Sequence, residues 1–515
     1  MAQIGILTPV FNTPIEALEL CISSVLNQEN KNWEWWIVDD ASTDHEVLSR
    51  LEALAASDKR VHFIRRETNG GIAAASQHGL NLVTSEFVAL LDHDDELHPE
   101  AISSVRAATL SHRDLDYLYT DEDKIDSSGR HYDEFLKPDF SPERLRGQNY
   151  CCHLSVFRTQ LARDVGGFRQ GFDGSQDYDL ILRITEKARR IVHIPKVLYH
   201  WRAIDGSTAS SADEKPYAYK AAVKALEEHL DRTGIRGNVE DAGHGYHRIR
   251  RELSDYPLVS IVIPTCGTRK VVGGVDTCLV LNTVESIKQL STYQNVEIVV
   301  VADTHTPRYV LSALESLAVE GVKVVLYDRP FNFSDKCNTG FVHSNGDCVL
   351  LLNDDVQVIS PDWLEWLVGY AQESHVGMVG PMLLFESGHI QSAGHSNTPS
   401  PHNFRAGEYP DQPGDFGILA VTRECSGVTG AAAMLRREVY KEIGGLSVQF
   451  PNCFNDVDLA FKLLERGYSI LWTPHARLYH FESASRDSTV DKRELDLLLD
   501  RWGRLFDQDR FCRLN

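Results

Sequence analysis

The sequence lacks the features of an exported or metal-knuckle protein. Its ten cysteines are scattered, no two have CxxC spacing, and only Cys151 and Cys152 are adjacent, which fits a reduced cytoplasm better than a disulfide framework or a zinc site. Residues 1–10 show neither a charged n-region nor a cleavage site, and no apolar run approaches the roughly 18 residues of a membrane span. We therefore expect a cytoplasmic protein that neither exports itself nor crosses a bilayer.

The sequence is also short of positive charge. It has 52 Lys and Arg against 74 Asp and Glu, a net charge of −22 at pH 7, so the protein as a whole would be repelled by nucleic acid and by an anionic bilayer. Local basic stretches could still contact either. Hydrophobic residues make up 42% of the 515 residues, which is enough core for a large enzyme of two to four domains.

One pattern occurs twice: a hydrophobic strand runs directly into a group of carboxylates. Residues 87–91 precede Asp92–Asp95, and residues 348–352 precede Asn353–Asp355. Carboxylates at the carboxyl end of a buried strand lie at the sheet edge where open α/β folds bind ligands. Such hard oxygen ligands suit Mg²⁺ or Mn²⁺ carrying a diphosphate. The pattern predicts two copies of one nucleotide-handling domain.

The surroundings of each acidic group repeat in the same order. Repeats of this length indicate duplicated domains, because each copy can bury its own core. Each half contains the same six features in the same order. They are a strand that ends in a turn, a strand that ends in an acidic residue, a helix start with Asn and Gly, a Gly-Gly pair, a helix start with acidic residues, and a Leu-Tyr-His sequence. The matched segments are 4–9 and 259–265, 36–40 and 298–303, 69–72 and 338–340, 166–168 and 444–446, 176–180 and 455–459, and 198–200 and 478–480.

These repeats predict three parts of the chain. Residues 1–212 form a first domain, residues 213–256 a helix and linker with one short strand, and residues 257–515 a second domain with a terminal helix. That helix, over 494–511, is amphipathic and could lie on a lipid surface. Its acidic and basic residues balance, so packing against its own domain is favoured.

Further motifs accompany the repeat. In the second half they are Phe331-Asn332-Phe333-Ser334, Ser360-Pro361-Asp362-Trp363-Leu364, Ile390-Gln391-Ser392-Ala393-Gly394, Val428-Thr429-Gly430-Ala431, Phe454-Asn455-Asp456-Val457-Asp458 and Leu478-Tyr479-His480-Phe481-Glu482-Ser483; in the first half they are Tyr119-Thr120-Asp121-Glu122-Asp123-Lys124 and 174–180.

With these motifs each half resembles an inverting nucleotide-sugar glycosyltransferase of family 2. The resemblance is to bacterial enzymes that build O-antigen, capsule or cell-wall polysaccharide, rhamnose-containing ones among them. It covers nearly the whole chain and is specific as a set, although a lone DxD is a weak signal. It implies an α/β fold of two tandem GT-A domains, Rossmann-like nucleotide-diphospho-sugar transferase modules with a mostly parallel central sheet.

The resemblance also implies a divalent cation. The charge of a leaving diphosphate must be stabilised, and Mn²⁺ or Mg²⁺ bridging its oxygens does this as a Lewis acid. Asp94 and Asp355 are the aligned metal candidates. His200 and His480 could complete the metal shell or contact phosphate, because imidazole also binds Mn²⁺.

The acceptor hydroxyl must lose a proton as it attacks the anomeric carbon, so a carboxylate is needed away from the metal. The resemblance assigns this base to Asp177 and Asp456. Asp179 and Asp458 lie two residues further on and are expected to be structural or secondary.

The resemblance places nucleotide contacts at strand ends. Asp40 and Asp303 match the position that accepts a hydrogen bond from the pyrimidine ring, although a helix-capping role is common for Asp at such junctions. The remaining positions predicted to contact the nucleotide are Pro9, Asp92, Pro264, Asn338 and Asp354.

The two halves differ at the acidic group. Asn353 replaces the first acid of the second group, and His93 stands where Asp354 stands in the second half, so the two sites are expected to differ in their donors. The run Asp121–Lys124 is expected to be a solvated acidic loop, or else to gate the first site or bind the acceptor.

The predicted function is a bifunctional glycosyltransferase that moves sugars from UDP-, dTDP- or GDP-sugars to a growing glycan or lipid-linked glycan. Peripheral association with the inner membrane or with other assembly enzymes is a further expectation, and no nucleic-acid partner is expected. A protein acceptor, or a half that serves only as a glycan-binding or scaffolding module, remains open. A glycosidase would need no metal-ligand group, and a nucleotidyltransferase would release pyrophosphate.

Overall fold

The computed structural model describes residues 4–203, 216–253, 255–398, 400–482, 490–506 and 509–512. The chain divides into two compact units, Met1–Ile249 and Arg250–Cys512. Most of the segment predicted as helix and linker, 213–256, therefore belongs to the first unit. No helix within the described ranges is both long and apolar enough to cross a membrane.

The first unit begins with alternating strands and helices, the pattern from which parallel sheets are built. Its first strands are rich in Val, Ile, Leu and Trp and are buried along nearly their whole length, as strands covered on both faces are. Its elements are β1 (Ile4–Val10), α1 (Ile15–Leu26), β2 (Trp33–Asp39), α2 (His45–Ser57), β3 (Val61–Arg65), α3 (Ile72–Leu82), β4 (Phe87–Leu90), β5 (Glu96–Leu97), α4 (Ala101–Ser111), β6 (Tyr117–Ile125), β7 (His131–Phe135), α5 (Pro142–Gly147), β8 (Ser155–Arg158), α6 (Thr159–Asp164), α7 (Gln176–Thr185), β9 (Ile191–Arg202), α8 (Pro216–Thr233), β10 (Gly237–Asp241) and β11 (His247–Arg251).

The second unit has the same alternation and adds two hairpins. Its elements are β12 (Val259–Thr265), β13 (Arg269–Val272), β14 (Val275–Cys278), α9 (Leu279–Leu290), β15 (Val296–Asp303), α10 (Arg308–Ser316), β16 (Val322–Tyr327), α11 (Phe333–Val342), β17 (Cys348–Leu352), β18 (Val356–Val358), α12 (Trp363–Ala371), β19 (Val376–Leu384), β20 (Ile390–Ser392), β21 (His395–Ser396), β22 (His402–Asn403), β23 (Arg423–Glu424), β24 (Ala432–Arg436), α13 (Arg437–Glu442), α14 (Asn455–Glu465), β25 (Ser469–His480) and α15 (Lys492–Trp502).

The two central sheets share one strand order. It is β3-β2-β1-β4-β8-β6-β9-β5 in the first unit and β16-β15-β12-β17-β24-β19-β25-β18 in the second. The first four strands of each order are parallel, and β8 and β24 join them antiparallel. The shared order confirms the duplication inferred from the repeats. It also places the carboxyl ends of β1, β2 and β4, and of β12, β15 and β17, at one sheet edge, where α/β folds bind ligands.

Matching glycines let one helix of each unit lie directly on the sheet. A Cβ at Gly79 of α3 would overlap Leu7, and a Cβ at Gly340 of α11 would overlap Val262. Because Gly79 and Gly340 are equivalent, the match made in the sequence between residues 69–72 and 338–340 as helix starts is wrong. Residues 338–340 lie inside α11, which begins after the capping side chain of Asn332, so they do not match the helix start at residues 69–72.

The terminal helix α15 packs on α14 of its own unit, as the balanced charges predicted. Leu498 and Trp502 are buried in one apolar cluster with Phe461. Asp458 of α14 anchors the helix, because its Oδ1 accepts hydrogen bonds from Arg501 Nη1 and Trp502 Nε1, each 3.0 Å long.

Replacing Asp458 by Asn should destabilise this helix pair. The carboxylate is fully buried and also lies 3.0 Å from Lys462 Nζ, so an amide would weaken charge-assisted hydrogen bonds worth about 2–3 kcal/mol. Urea unfolding followed by tryptophan fluorescence would measure the loss. The control is Asp500→Asn on the exposed face of α15, which should change the free energy of unfolding by less than about 0.5 kcal/mol; equal effects of the two variants would contradict the anchor role.

Candidate active sites

A cleft of about 750 Å³ opens at the carboxyl edge of the second sheet. This volume lies within the usual range for small-molecule sites. All but one of the second-half residues predicted to bind ligand or metal line it. They are Pro264, Asp303, Asp354, Asp355, Asp456 and His480.

Asn338 is the exception, and the structure gives it a packing role. Its Nδ2 donates to Leu446 O at 2.8 Å, and its Oδ1 accepts hydrogen bonds from Leu446 N and Tyr440 Oη. Gln77 of α3 makes the matching contact in the first unit, accepting the Phe168 amide. Asn338 therefore joins α11 to the segment after the Gly-Gly pair, and the prediction that it binds nucleotide has no support in this arrangement.

A buried lysine that the sequence analysis missed sits beside Asp303 at the end of β15. Lys336 Nζ donates to Asp303 Oδ1 at 3.0 Å and to Thr265 O at 2.8 Å, and its side chain is 2% exposed. Burying a charge is tolerated only when it is paired. The available sequence signal was its spacing, because Lys336 lies three residues after Phe333 and four before Gly340, on the buried face of α11. The ion pair fixes Asp303 at the cleft wall.

The metal candidates of the second unit lie close together. His480 Nδ1 faces Gln391 Oε1 at 2.6 Å, and Asn353 Nδ2 lies 3.1 Å from His480 Nε2. An amide oxygen only accepts and an amide nitrogen only donates, so the proton is on Nδ1 and Nε2 carries a lone pair.

This arrangement fits a divalent cation. Asp355 Oδ1 lies 3.1 Å from His480 Nε2, so two lone-pair-bearing ligand atoms face the same space. Adjacent ligands of an octahedral ion with bonds of about 2.1 Å are about 3 Å apart. The hydrogen bond to Gln391 fixes the orientation of the imidazole, as such bonds commonly do for metal-binding histidines. Asp355 and His480 can therefore hold Mn²⁺ or Mg²⁺.

Asp354 points elsewhere in the same group. Its Oδ2 accepts a hydrogen bond from Thr265 Oγ1 at 2.5 Å, and its carbonyl oxygen accepts one from Thr283 Oγ1 at 2.8 Å. These contacts join β17 to β12 and α9. Asp354 lines the cleft, and its carboxylate accepts a hydrogen bond from Thr265, the last residue of β12.

The candidate base Asp456 lies in the first turn of α14, where the helix dipole stabilises a negative charge. Its Oδ2 accepts a hydrogen bond from Gly430 N at 2.9 Å and lies 4.0 Å from His395 Nε2. Burial lowers the pKa of His395, which the charge of Asp456 partly offsets. Asp456 Oδ1 accepts a hydrogen bond from Val457 N at 2.9 Å, so Asp456 lines the cleft with a neutral backbone donor at each oxygen.

Asp177 occupies the same place in the first unit. It lies in the first turn of α7, and its Oδ2 accepts a hydrogen bond from Asn149 Nδ2 at 2.9 Å. Asp179, two residues later, is fully buried between Arg169 and Arg183. Asp179 and Asp458 therefore have structural roles, as expected. Asp177 and Asp456, two residues earlier in each helix, remain the candidates for the catalytic base.

Asp40 is more heavily engaged than Asp303. It pairs with Arg66 and accepts hydrogen bonds from Gly70 N and Gly71 N, the latter at 2.8 Å. These contacts hold the start of α3, which is the capping role that the sequence left open. Pro9 lies opposite Val38 in β2 as Pro264 lies opposite Val301 in β15, so the two prolines occupy equivalent strand ends.

The acidic group of the first unit is arranged differently. Asp95 accepts hydrogen bonds from Tyr199 Oη at 2.5 Å and Arg202 N at 2.7 Å, and burial raises the pKa of this carboxyl well above its usual range. Burial also raises the pKa of Asp92. Asp94 remains partly exposed and lies 3.6 Å from His93 Nδ1.

His200 contacts Asp123 where Asp94 had been predicted as its fellow ligand. The distance from His200 Nδ1 to Asp123 Oδ1 is 2.6 Å, and His131 Nδ1 lies 2.9 Å from Asp123 Oδ2. In the described part of the chain these three side chains lie close enough together to bind one metal ion. The strand register contributes to this difference. His200 lies opposite Glu96, two residues after Asp94, whereas His480 lies opposite Val356, one residue after Asp355.

The expectation of a solvated acidic loop at residues 121–124 is wrong. These residues lie in β6 and all but Lys124 are buried. Asp121 contacts His193 Nε2 at 2.7 Å, and Glu122 contacts Lys137 Nζ at 2.8 Å. The sequence showed the charges but not their distant partners.

The model of "Glycosyl transferase family 2" matches residues 5–163 and 260–444, one segment in each unit. The chain belongs to this family. The predicted α/β fold of two GT-A domains and the predicted glycosyltransferase class are thereby confirmed.

Relatives within the family extend along nearly the whole chain. The O-antigen biosynthesis protein RfbC of Myxococcus xanthus is 35% identical over 94% of this chain and 38% of its own length. The uncharacterized protein y4gI of Sinorhizobium fredii is 40% identical over 97% of this chain and 56% of its own length. The chain thus spans about half or less of these relatives.

Among solved structures, S. aureus TarS residues 1–349 in complex with UDP is similar to this chain. The TM-score is 0.36 at 20% identity, covering 44% of this chain and 65% of that one.

Proposed function

We propose that both units are catalytic and that the chain is a bifunctional inverting glycosyltransferase acting on a growing bacterial surface glycan. The observation that carries this proposal is the pair Asp177 and Asp456. Each lies in the first turn of a helix at the same topological position, and each accepts a hydrogen bond from a neutral donor, Asn149 Nδ2 or Gly430 N. Neither hydrogen bond neutralises the carboxylate.

The proposed chemistry follows from this placement. The carboxylate of each aspartate takes the proton of an acceptor hydroxyl as the oxygen attacks the anomeric carbon. Attack opposite the leaving diphosphate inverts the anomeric configuration. The backbone N–H groups of Gly430 and Val457 orient Asp456 by donating to Oδ2 and Oδ1, each at 2.9 Å. Each carboxylate oxygen can accept a further hydrogen bond, from the acceptor hydroxyl.

A divalent cation, Mn²⁺ or Mg²⁺, would neutralise the charge of the leaving diphosphate as a Lewis acid. Asp355 and His480 would hold it in the second unit. In the first unit Asp94 is the corresponding candidate, and His200, which lies against Asp123, would bind a metal there with His131. Asp40 and Asp303 are proposed to contact the base of a UDP-, dTDP- or GDP-sugar. Pro9, Asp92, Pro264 and Asp354 form the remaining walls of the two nucleotide sites.

The acceptor is proposed to be a glycan or lipid-linked glycan. The name of the Myxococcus relative, which matches 94% of this chain, supports an O-antigen type of polysaccharide. We further propose action in the cytoplasm, with peripheral association with the inner membrane or with other assembly enzymes.

A donor screen tests the proposal. The full chain is incubated with individual nucleotide sugars, a glycan acceptor and Mn²⁺, and the release of nucleoside diphosphate is measured with the linkages of the products. Two separable transfers are expected. Release of pyrophosphate would indicate nucleotidyl transfer, and a single linkage from every donor would contradict a second catalytic unit.

A further inference from the structure

The first unit has a histidine at its ligand edge where the second unit has an alanine. Ile6 lies opposite Ala89, and Ala89 opposite Val156; in the second unit Ile261 lies opposite Leu350, and Leu350 opposite Met434. Counting back three residues from Val156 and Met434 pairs His153 with Ala431.

Ala431 lines the cleft of the second unit. Its carbonyl oxygen accepts a hydrogen bond from Asn353 N at 3.0 Å, so it lies directly beside the acidic group that follows β17. In the first unit the pairing of β4 with β8 ends at Ala89 and Val156, and Asp92 N donates to Tyr199 Oη. The place of His153 beside the acidic group therefore rests on its side-chain contacts. A donor diphosphate is expected at this strand edge in both units.

Side-chain contacts place His153 against the same edge. Its ring stacks on Tyr199 with centroids 4.7 Å apart. The hydroxyl of Tyr199 donates to Asp95 Oδ2 and accepts the hydrogen bond of Asp92 N. His153 is thus fixed over the tyrosine that contacts both strand-end aspartates.

Glu122 holds the other side of His153. Its Oε2 accepts the hydrogen bond of His153 N at 2.7 Å and lies 3.4 Å from His153 Nδ1. The side chain is 21% exposed, so a ligand can reach the ring. Nε2 is the ring nitrogen that Glu122 does not contact.

The surroundings also favour a positive charge. Burial alone would lower the pKa of His153, but hydrogen bonding to Glu122 and the charges of Glu122, Asp92 and Asp95 raise it to about 9. Lys137 is already paired with Glu122. A positively charged His153 beside these carboxylates can donate a charge-assisted hydrogen bond to a phosphate oxygen.

We propose that His153 contacts the diphosphate of the nucleotide-sugar donor in the first unit, a contact that the second unit lacks because Ala431 stands in its place. The inference rests on the proposed function, namely that the first unit binds such a donor. A fixed donor aimed at a leaving group stabilises the charge that develops there. In the second unit a cation held by Asp355 and His480 would supply that stabilisation.

Inorganic pyrophosphate in the presence of EDTA is the probe. The wild-type chain should bind it in isothermal titration calorimetry, and His153→Gln should weaken binding by at least about tenfold because a charge-assisted hydrogen bond is lost. His153→Lys keeps the charge and should retain most of the affinity. The matched control, His45→Gln on the exposed start of α2, should bind like wild type.

Amide hydrogen exchange tests the same contact in the wild-type chain, without any substitution. Adding pyrophosphate in EDTA should slow exchange of the peptide that contains His153, and the peptide that contains Ala431 should not change. Absence of protection at His153, or equal pyrophosphate affinity of wild type and a folded His153→Gln, would overturn the proposal and show that His153 only balances buried carboxylates.

Catalysis gives a second readout. In an Asp456→Asn chain, where the first transfer is measured alone, His153→Gln should lower the rate about 10²-fold, as loss of one preorganised donor does. In an Asp177→Asn chain it should leave the second transfer unchanged. If pyrophosphate binding depends on His153 but the first unit transfers no sugar, the contact stands and the bifunctional proposal fails.

Discussion

Asp456→Asn should lower the second unit's transfer by about 10²- to 10⁴-fold, the usual cost of losing a general base. An amide keeps the shape of the carboxylate but cannot take the proton of the acceptor hydroxyl. The Asn oxygen can still accept the hydrogen bond of Gly430 N, so donor binding should persist. Linkage analysis of the products by NMR measures each transfer separately.

Asp177→Asn should do the reverse, removing the first linkage and sparing the second. The control for both is Asp500→Asn, an exposed aspartate whose loss should change neither product. If Asp177→Asn left every product unchanged while Asp456→Asn stopped synthesis altogether, the first unit would be a glycan-binding module and the bifunctional proposal would be wrong.

The sequence was sufficient for the duplicated architecture. Each strand of the parallel part is a short apolar run that ends in a turn or an acid, and this local pattern is set by burial on both faces. The pairing of Asp355 with His480 was also predictable, because both lie at strand ends of the same repeat. Contacts that follow from strand order alone are therefore readable from one sequence.

Contacts between distant side chains were not readable. The charges at residues 121–124 predicted exposure, since nothing in the sequence shows that Lys137 and His193 will contact them. The same reason hid the pairing of Lys336 with Asp303 and of His200 with Asp123. Local composition gives the charge of a residue, and only the fold gives the partner that allows its burial.

Alignment by composition also failed at one helix. The Asn-Thr-Gly of residues 338–340 looked like a helix start because Asn and Gly are frequent at caps. The structure shows that Gly340 instead permits close approach of α11 to Val262. A glycine inside a helix can reflect packing as readily as a boundary, and a second signal was needed to choose between them.

The structural differences between the two units bear on which nucleotide sugar each unit binds. Asp303 has one cationic partner, Lys336, at 3.0 Å, whereas Asp40 has Arg66 and two backbone amides. If each carboxylate contacts a nucleotide base as proposed, Asp40 has less remaining hydrogen-bonding capacity than Asp303. This favours different donors for the two transfers, as the departures in the acidic groups had suggested.

The second unit's transfer should depend on a divalent cation. In an Asp177→Asn chain, EDTA should abolish the remaining transfer, and Mn²⁺ or Mg²⁺ should restore it, because a Lewis acid stabilises a leaving diphosphate by several kcal/mol. Asp355→Ala should have a comparable effect of roughly 10²-fold or more at ordinary Mn²⁺ concentrations. Excess Mn²⁺ should rescue part of this loss, since His480 remains as a ligand oriented by Gln391.

The matched control for this metal dependence is Asp411→Ala, which removes an exposed carboxylate of the same unit and should leave the Mn²⁺ dependence unchanged. Binding of Mn²⁺ followed by electron paramagnetic resonance separates a lost metal site from a misfolded one, because Asp355→Ala should lose the bound ion while its thermal unfolding stays close to that of the parent chain. Full transfer by the second unit in the chelator, or an Asp355→Ala chain with unaltered Mn²⁺ affinity, would contradict the assignment of Asp355 and His480. The 3.1 Å approach of their two ligand atoms would then be a packing contact of the cleft wall and not a metal site.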